Sequence, residues 1–213
     1  MHFLSDELDS YVTQHSENEP ELLALLNKET HQKILAPRML SGHFQGRVLS
    51  MLSKIIHPTT ILEVGTYTGY ATLCLAEGLA ENGAIDTLDN EEELFDFQRK
   101  YFDKTIWANQ ITQHLGDALN IIPTLTKKYD LVFIDADKEN YINYFHLIVP
   151  MMNKGGIIIS DNVLWSGKVL DEVKQGDFTT QILLEYNQLL KEDPRVETVL
   201  LPIRDGLTVS RVK

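Results

Sequence analysis

Cysteine is almost absent: the chain carries one, Cys74, so no disulfide can form within it. A reduced, cytoplasmic setting is the expectation that follows. Long apolar runs are missing too, and no stretch approaches the roughly 20 residues that a membrane-crossing helix needs. Met1-His2-Phe3-Leu4-Ser5-Asp6-Glu7 has no basic segment leading into an apolar one, so no export signal is expected. Basic residues are few beside acids, 19 against 31, for a formal charge of −12. That balance favours solubility and weighs against a general nucleic-acid binder, which needs a basic face for phosphates. Lys168, Lys174, Arg38 and Arg204 are the candidates for a local basic patch, with a solvated surface role the plainer expectation for each. No repeat, low-complexity run or Pro/Gly/Ser-rich linker interrupts the 213 residues. One domain is therefore expected, with 1–57 as a helical N-terminal part and 58–213 as an α/β core.

At 43% apolar residues, the chain can bury a substantial core. The first third reads as helical. Ser5 can cap a helix through Gln14, and Asn18-Glu19-Pro20 starts another with proline in its first turn. Leu22, Leu25 and Leu26, and later Val48, Leu49 and Leu52, recur at helical spacing. Between them, residues 36–46 form a structured loop that opens a further helix. From residue 60 short β-branched runs alternate with helical stretches. The strands are Ile61–Val64, Ala84–Leu88, Ile111–Leu115, Leu131–Ile134 and Gly156–Ser160. The helices are expected near 70–81, 91–104, 118–127 and 141–149. This alternation indicates a parallel sheet covered on both faces. Val196–Leu200 and Leu207–Arg211 are joined by so short a link, Pro202 to Gly206, that they must be antiparallel.

Open α/β sheets bind ligands at the carboxyl ends of their strands. At the first such end stands Glu63-Val64-Gly65-Thr66-Tyr67-Thr68-Gly69-Tyr70, where Gly65 and Gly69 let backbone approach a ligand closely. The G-x-x-x-G spacing departs from the G-x-G-x-x-G of dinucleotide binders. An acid at Glu63 suits a zwitterionic ligand carrying an ammonium group. Asp89 follows the second strand, where a carboxylate can accept both hydroxyl hydrogens of a ribose; the plainer alternative is a turn residue. Gly116-Asp117-Ala118 adds a third strand end.

Two more carboxylates end the next strands, in Phe133-Ile134-Asp135-Ala136-Asp137-Lys138 and Ile159-Ser160-Asp161-Asn162. Asp135, Asp161 and Asn162 offer only oxygen donors, the preference of Mg²⁺ or Ca²⁺ over zinc. A helix cap for Asp161 and a surface position for Asp137 are the structural alternatives. Lys138 lies one turn past Asp135. A lysine beside a divalent cation loses its proton more readily than in water, which suits a general base.

These segments together resemble the cation-dependent O-methyltransferases, the group containing catechol and caffeoyl-CoA O-methyltransferases, and most nearly their small bacterial members. The likeness runs from Met39 to the C-terminus. It rests on Met39-Leu40-Ser41 with Gln45-Gly46, Leu62 to Tyr70, Phe133 to Lys138, Ile159 to Trp165, and Asp205-Gly206-Leu207-Thr208. The resemblance implies a Rossmann-like, seven-stranded sheet in the order 3-2-1-4-5-7-6, with strand seven antiparallel. It implies S-adenosylmethionine as cofactor, bound by Glu63, Gly65, Tyr67, Gly69, Asp89, Asp117 and Asp135, with Met39 and Ser41 closing over it. Asp135, Asp161 and Asn162 match the metal ligands, for Mg²⁺ or else Ca²⁺ or Mn²⁺, and Lys138 matches the base. Asp89 departs from the glutamate of many relatives, and residues 165–178 match a variable substrate loop. His43 and Cys74 are expected to be structural.

A catechol-like or phenolic small molecule is the expected methyl acceptor: two adjacent oxygens can fill open metal positions, and the dication stabilises the phenolate. Three other readings remain: a nicotinamide-dependent oxidoreductase, a methyltransferase for a hydroxylated tRNA base, and a non-catalytic binding protein of the same fold. The missing G-x-G-x-x-G weighs against the first, and the charge makes nucleic acid the poorer partner. Leu4, Leu8, Leu22, Leu23, Leu25 and Leu26 exceed what peripheral helices need, so a homodimer is expected.

Overall fold

The computed structural model describes residues 5–213. Three helices lead: α1 (Asp6–Gln14), α2 (Glu21–Lys33) and α3 (Gly42–Ile56). There follow β1 (Thr60–Val64), α4 (Tyr70–Ala76), β2 (Ala84–Asp89), α5 (Glu92–Phe102), β3 (Ile111–Leu115), α6 (Ala118–Ile121), β4 (Tyr129–Ile134), α7 (Tyr141–Ile148) and β5 (Met152–Asp161). The chain closes with α8 (Phe178–Glu192), β6 (Val196–Leu201) and β7 (Leu207–Val212). The sheet order is β3-β2-β1-β4-β5-β7-β6, and β7 runs antiparallel to both neighbours. The order and the reversed strand are those that the resemblance implied.

Side-chain alternation along the strands divides the core in two. Ile61, Leu131, Phe133 and Ile159 face α3 and α4, while Leu62, Val64, Val132, Ile134 and Ile158 face α7 and α8. All of these are fully buried. Each contributes on the order of 1.5–3 kcal/mol by leaving water, so both faces are committed to helices and the strand ends remain for function. Every residue of α4 is buried, because it lies between α3 and the sheet.

Several expectations shift for local reasons. The Ser5 hydroxyl caps α1 by accepting from the Leu8 N–H at 3.4 Å. Pro20 stands just before α2 instead of inside its first turn. The helix expected to reach residue 81 ends at Ala76, and the Ala80 N–H instead bonds the Pro58 carbonyl at 2.9 Å. The helix expected over 118–127 is one turn of α6 followed by a 3₁₀ turn at Ile122–Thr124. Pro123 has no N–H to continue it. The sequence reading assigned no element to 179–195, where α8 lies. Asp177 caps it through the Thr180 N–H, and Leu183, Tyr186 and Leu190 bury one stripe. Leu4 falls outside the described residues.

Candidate active site

The carboxyl ends of β1 to β5 open into one cavity of about 1220 Å³. Met39, Gly65, Tyr67, Asp89, Asp117, Asp135, Lys138, Asp161 and Asn162 all line it. Three expected residues do not. Gly69 and Glu63 are buried behind the wall, Glu63 fully, and Ser41 lines a smaller neighbouring cavity with Arg38 and Arg204.

Gly65 allows the turn after β1 because its φ is +98° and a Cβ there would strike the Asp135 carbonyl. Gly69, at φ +85°, takes the left-handed position that starts α4, hard against the Phe102 ring. Asp89 fixes the turn from β2: its carboxylate accepts from the Tyr67 N–H at 2.6 Å and from the Glu91 N–H at 2.9 Å. Burial raises its pKa, against the pull of these backbone donors. The Gln98 amide donates to the Tyr67 carbonyl at 2.7 Å. Tyr67 in turn donates its hydroxyl to the Leu35 carbonyl at 2.9 Å, tying the segment before Met39 to this end of the cavity. Asp117 caps α6 through the Leu119 N–H at 2.8 Å while lining the same end.

Glu63 points the other way, into the core. One oxygen accepts from the Thr72 and Thr87 hydroxyls, and the other has no partner. Thr87 is within 2.5 Å of the Thr66 hydroxyl in the turn. Burial pushes the Glu63 carboxyl up to about 8, with Asp135 and Asp89 adding to the rise and the two hydroxyls opposing it. In this position Glu63 supports the turn from beneath and does not line the cavity.

At the other end, β4 and β5 pair in parallel with Ile134 beside Ser160. The next residues, Asp135 and Asp161, therefore leave the sheet side by side. Asp161 is 3% exposed. One oxygen accepts from the Gln45 amide at 2.5 Å, the other from the Asn162 N–H at 2.7 Å. Burial first, then repulsion from Asp135, pushes its carboxyl up to about 7, while Lys138 pulls it down. Lys138 Nζ donates to Asp135 at 3.0 Å and to the Tyr141 hydroxyl at 2.7 Å. Tyr141 is fully buried and donates to the Asp161 carbonyl at 3.0 Å. Asn162 sits in the left-handed region at φ +59°.

This donor set suits a hard dication: two carboxylates forced together and a carboxamide, all oxygen, in a partly desolvated wall. Among the described residues no three His, Cys, Asp or Glu side chains converge, so the carboxamide completes any such set.

Sequence reasoning overlooked Tyr141 and Gln45 as site residues and placed Arg204 at the solvated surface. Tyr141 was legible, since it lies three residues past Lys138 on one helical face. Gln45 and Arg204 reach the site only through tertiary contact. Arg204, between β6 and β7, donates to the Ser41 carbonyl and at 3.2 Å to both the Leu40 carbonyl and the Gln45 side-chain oxygen. Of the other candidates, Arg38 lines the cavity together with Arg204, and Lys168 stands 3.9 Å from Asp177 and over the Trp165 ring. His43 bonds the Glu17 carbonyl at 2.7 Å and lines the smaller neighbouring cavity, not this one, and Cys74 is buried.

The comparisons with known proteins agree with this arrangement. Residues 13–213 match the model of a family described as O-methyltransferase. Caffeoyl-CoA O-methyltransferase 2 of Eucalyptus globulus is 34% identical, over 97% of this chain and 89% of its own length. The O-methyltransferase of Bacillus cereus in complex with SAH superposes with a TM-score of 0.89 at 29% identity, covering 97% of each chain. A Podospora anserina methyltransferase bound to SAH gives 0.89 at 28%, covering 98% of this chain and 94% of that one. Strand order, cavity position and these matches together make the chain a member of the O-methyltransferase family, a caffeoyl-CoA O-methyltransferase-like enzyme that depends on S-adenosylmethionine.

Proposed function

We propose that the enzyme methylates a hydroxyl of a catechol-like or phenolic small molecule, with a divalent cation, Mg²⁺ first, held by Asp135, Asp161 and Asn162. The observation that carries this reading is the pair of strand-end carboxylates meeting beside Lys138 on one cavity wall. Asp161 is buried and its carboxyl stays raised to about 7 even with Lys138 paired to the neighbouring Asp135, so a further cation between the two carboxylates would be favoured. The relatives named caffeoyl-CoA O-methyltransferases point to an acceptor carrying a catechol ring.

At the cofactor end, Asp89 would receive ribose hydroxyls, with Met39, Gly65, Tyr67, Asp117 and Asp135 around it. When bound, the cation supplies Lewis acidity toward the acceptor oxygens and S-adenosylmethionine supplies the methyl group. Lys138 takes the acceptor proton; Asp135 and Tyr141 hold its Nζ in place from two sides. Acids such as Glu91, Asp137, Glu139 and Asp205 outnumber the bases Arg38, Lys138 and Arg204 along the cavity, so a polyanionic RNA is disfavoured there as well as by the charge of −12.

We also read the enzyme as a cytoplasmic homodimer. Its one thiol is buried, and Leu8, Tyr11, Leu25, Met51 and Ile55 are exposed on α1 to α3. Among the described residues no helix is long and apolar enough to cross a membrane. Light scattering should give twice the chain mass, and the mass of one chain would remove the dimer.

The function is tested with labelled S-adenosylmethionine and caffeate. EDTA should abolish transfer, Mg²⁺ should restore it, and Asp161→Ala should be inactive with an unchanged circular dichroism spectrum. A full rate in metal-free buffer would overturn the cation.

A further inference from the structure

Gln45 comes from α3, far in sequence from Asp161, yet its side chain is 1% exposed and reaches that carboxylate. Arg204 can only donate, so the Gln45 oxygen must face it and the NH₂ must face Asp161. The same guanidinium holds the Leu40 and Ser41 carbonyls, next to the cavity-lining Met39. The amide therefore has one orientation, imposed from outside the carboxylate pair. Each Asp161 oxygen already accepts one hydrogen bond, from Gln45 or from the Asn162 N–H. Two donors on opposite oxygens fix the plane of the carboxylate, and a fixed plane suits a small ion of strict geometry better than a large one that needs adaptable ligands. Mg²⁺ and Mn²⁺ take six ligands in tight octahedra, whereas Ca²⁺ takes six to eight and readily uses both oxygens of a carboxylate.

We infer that Gln45, locked by Arg204, is a positioning residue that orients Asp161 and biases the site toward small octahedral dications over Ca²⁺. This rests on the cation site proposed above. Hydrogen-bonding partners of metal ligands commonly set affinity by 10–100-fold, which fixes the scale to expect.

The experiment measures Mn²⁺ and Ca²⁺ binding to the full chain, without turnover, by electron paramagnetic resonance and calorimetry. The proteins are wild type, Asp161→Ala, Gln45→Leu, Arg204→Met and the Gln45→Leu/Arg204→Met double variant. Wild type should bind Mn²⁺ and Asp161→Ala should not. Gln45→Leu should weaken Mn²⁺ about tenfold or more and Ca²⁺ far less, narrowing the Mn²⁺/Ca²⁺ ratio. Arg204→Met should narrow it in the same direction, and the double variant should match Gln45→Leu, because Arg204 acts through the amide. Equal loss of both ions, no loss, or additive losses in the double variant would overturn the inference while leaving the cation site standing. Absence of Mn²⁺ binding in wild type would instead overturn the site and the inference with it. Should Gln45→Leu not fold, Arg204→Met alone must narrow the ratio, and an unchanged ratio overturns the inference.

Discussion

Replacing Glu63 with glutamine separates a supporting role from a cofactor contact. The carboxyl is fully buried, and its proton affinity rises from the ordinary 4.5 to about 8, chiefly through burial. Between those values the folded chain binds more protons than the unfolded one, so stability falls as pH rises through the window. The slope is about 1.4 kcal/mol per pH unit, which amounts to about 3 kcal/mol by pH 7. Glutamine keeps the shape, and its oxygen can still accept from Thr72 and Thr87. Its NH₂ would occupy the place of the carboxyl oxygen that has no partner. An unpaired buried donor costs about 1–2 kcal/mol, less than the penalty it replaces at pH 7. Urea unfolding of both proteins at pH 5.5, 7.0 and 8.5 should therefore show Glu63→Gln gaining on wild type as pH rises. Asp161 titrates in both and cancels in the difference. Cofactor affinity should change by less than about threefold, because Glu63 does not line the cavity. Parallel pH profiles would refute the raised affinity for protons. A tenfold loss of S-adenosylmethionine binding in a folded variant would return Glu63 to the cofactor.

Asp89→Ala should weaken S-adenosylmethionine binding by about 1.5–3 kcal/mol, the scale of hydrogen bonds to a charged group, and unchanged calorimetry would remove Asp89 from the site. Glu77 is held by Arg47 at 2.7 Å, Ser50 at 2.7 Å and Lys54 at 2.8 Å, and its carboxyl is lowered to about 2. Its contribution is present above pH 4.5 and lost as pH falls toward 2. The shift caps it near 3 kcal/mol, and screening at the exposed Lys54 leaves about 2. Glu77→Gln should accordingly flatten the acid limb of stability measured by melting, and an unchanged limb would contradict the network. Lys138→Ala should depress kcat more than it raises KM, whereas a pure rise in KM would make Lys138 a binding residue.

Much of this was legible in the sequence because both sheet faces are covered. Leu131–Ile134 is a continuous apolar run, and Ile61, Leu62 and Val64 form another broken only by Glu63, a pattern that a doubly covered strand tolerates. The reversed last strand followed from the short link at Pro202 to Gly206. Strand-end residues such as Asp89, Asp135 and Asp161 were readable, because parallel topology alone brings them together. The orientation of Glu63 was not: the residue at a strand end lies on either face of the sheet, and only the packing of α4 with Thr72 selects the inner one. Gln45 and Arg204 meet Asp161 through contacts between α3 and the β6–β7 turn, which no local pattern encodes. Helix α8 carried a readable stripe and cap at Asp177, Leu183, Tyr186 and Leu190, overlooked beside the loop before it.

The acceptor gives the most direct test of the central claim. With Asp135, Asp161 and Asn162 holding a cation, an acceptor with two adjacent oxygens can chelate it, while a monophenol offers one. Chelation both orients the reacting oxygen and favours its anionic form. Initial rates with caffeate and p-coumarate, at saturating S-adenosylmethionine and Mg²⁺, compare the two with little else changed. Caffeate should be methylated at least about 100-fold faster, within the range that orientation supplies. Equal rates for the two acceptors would contradict chelation at this site and the proposed function built on it.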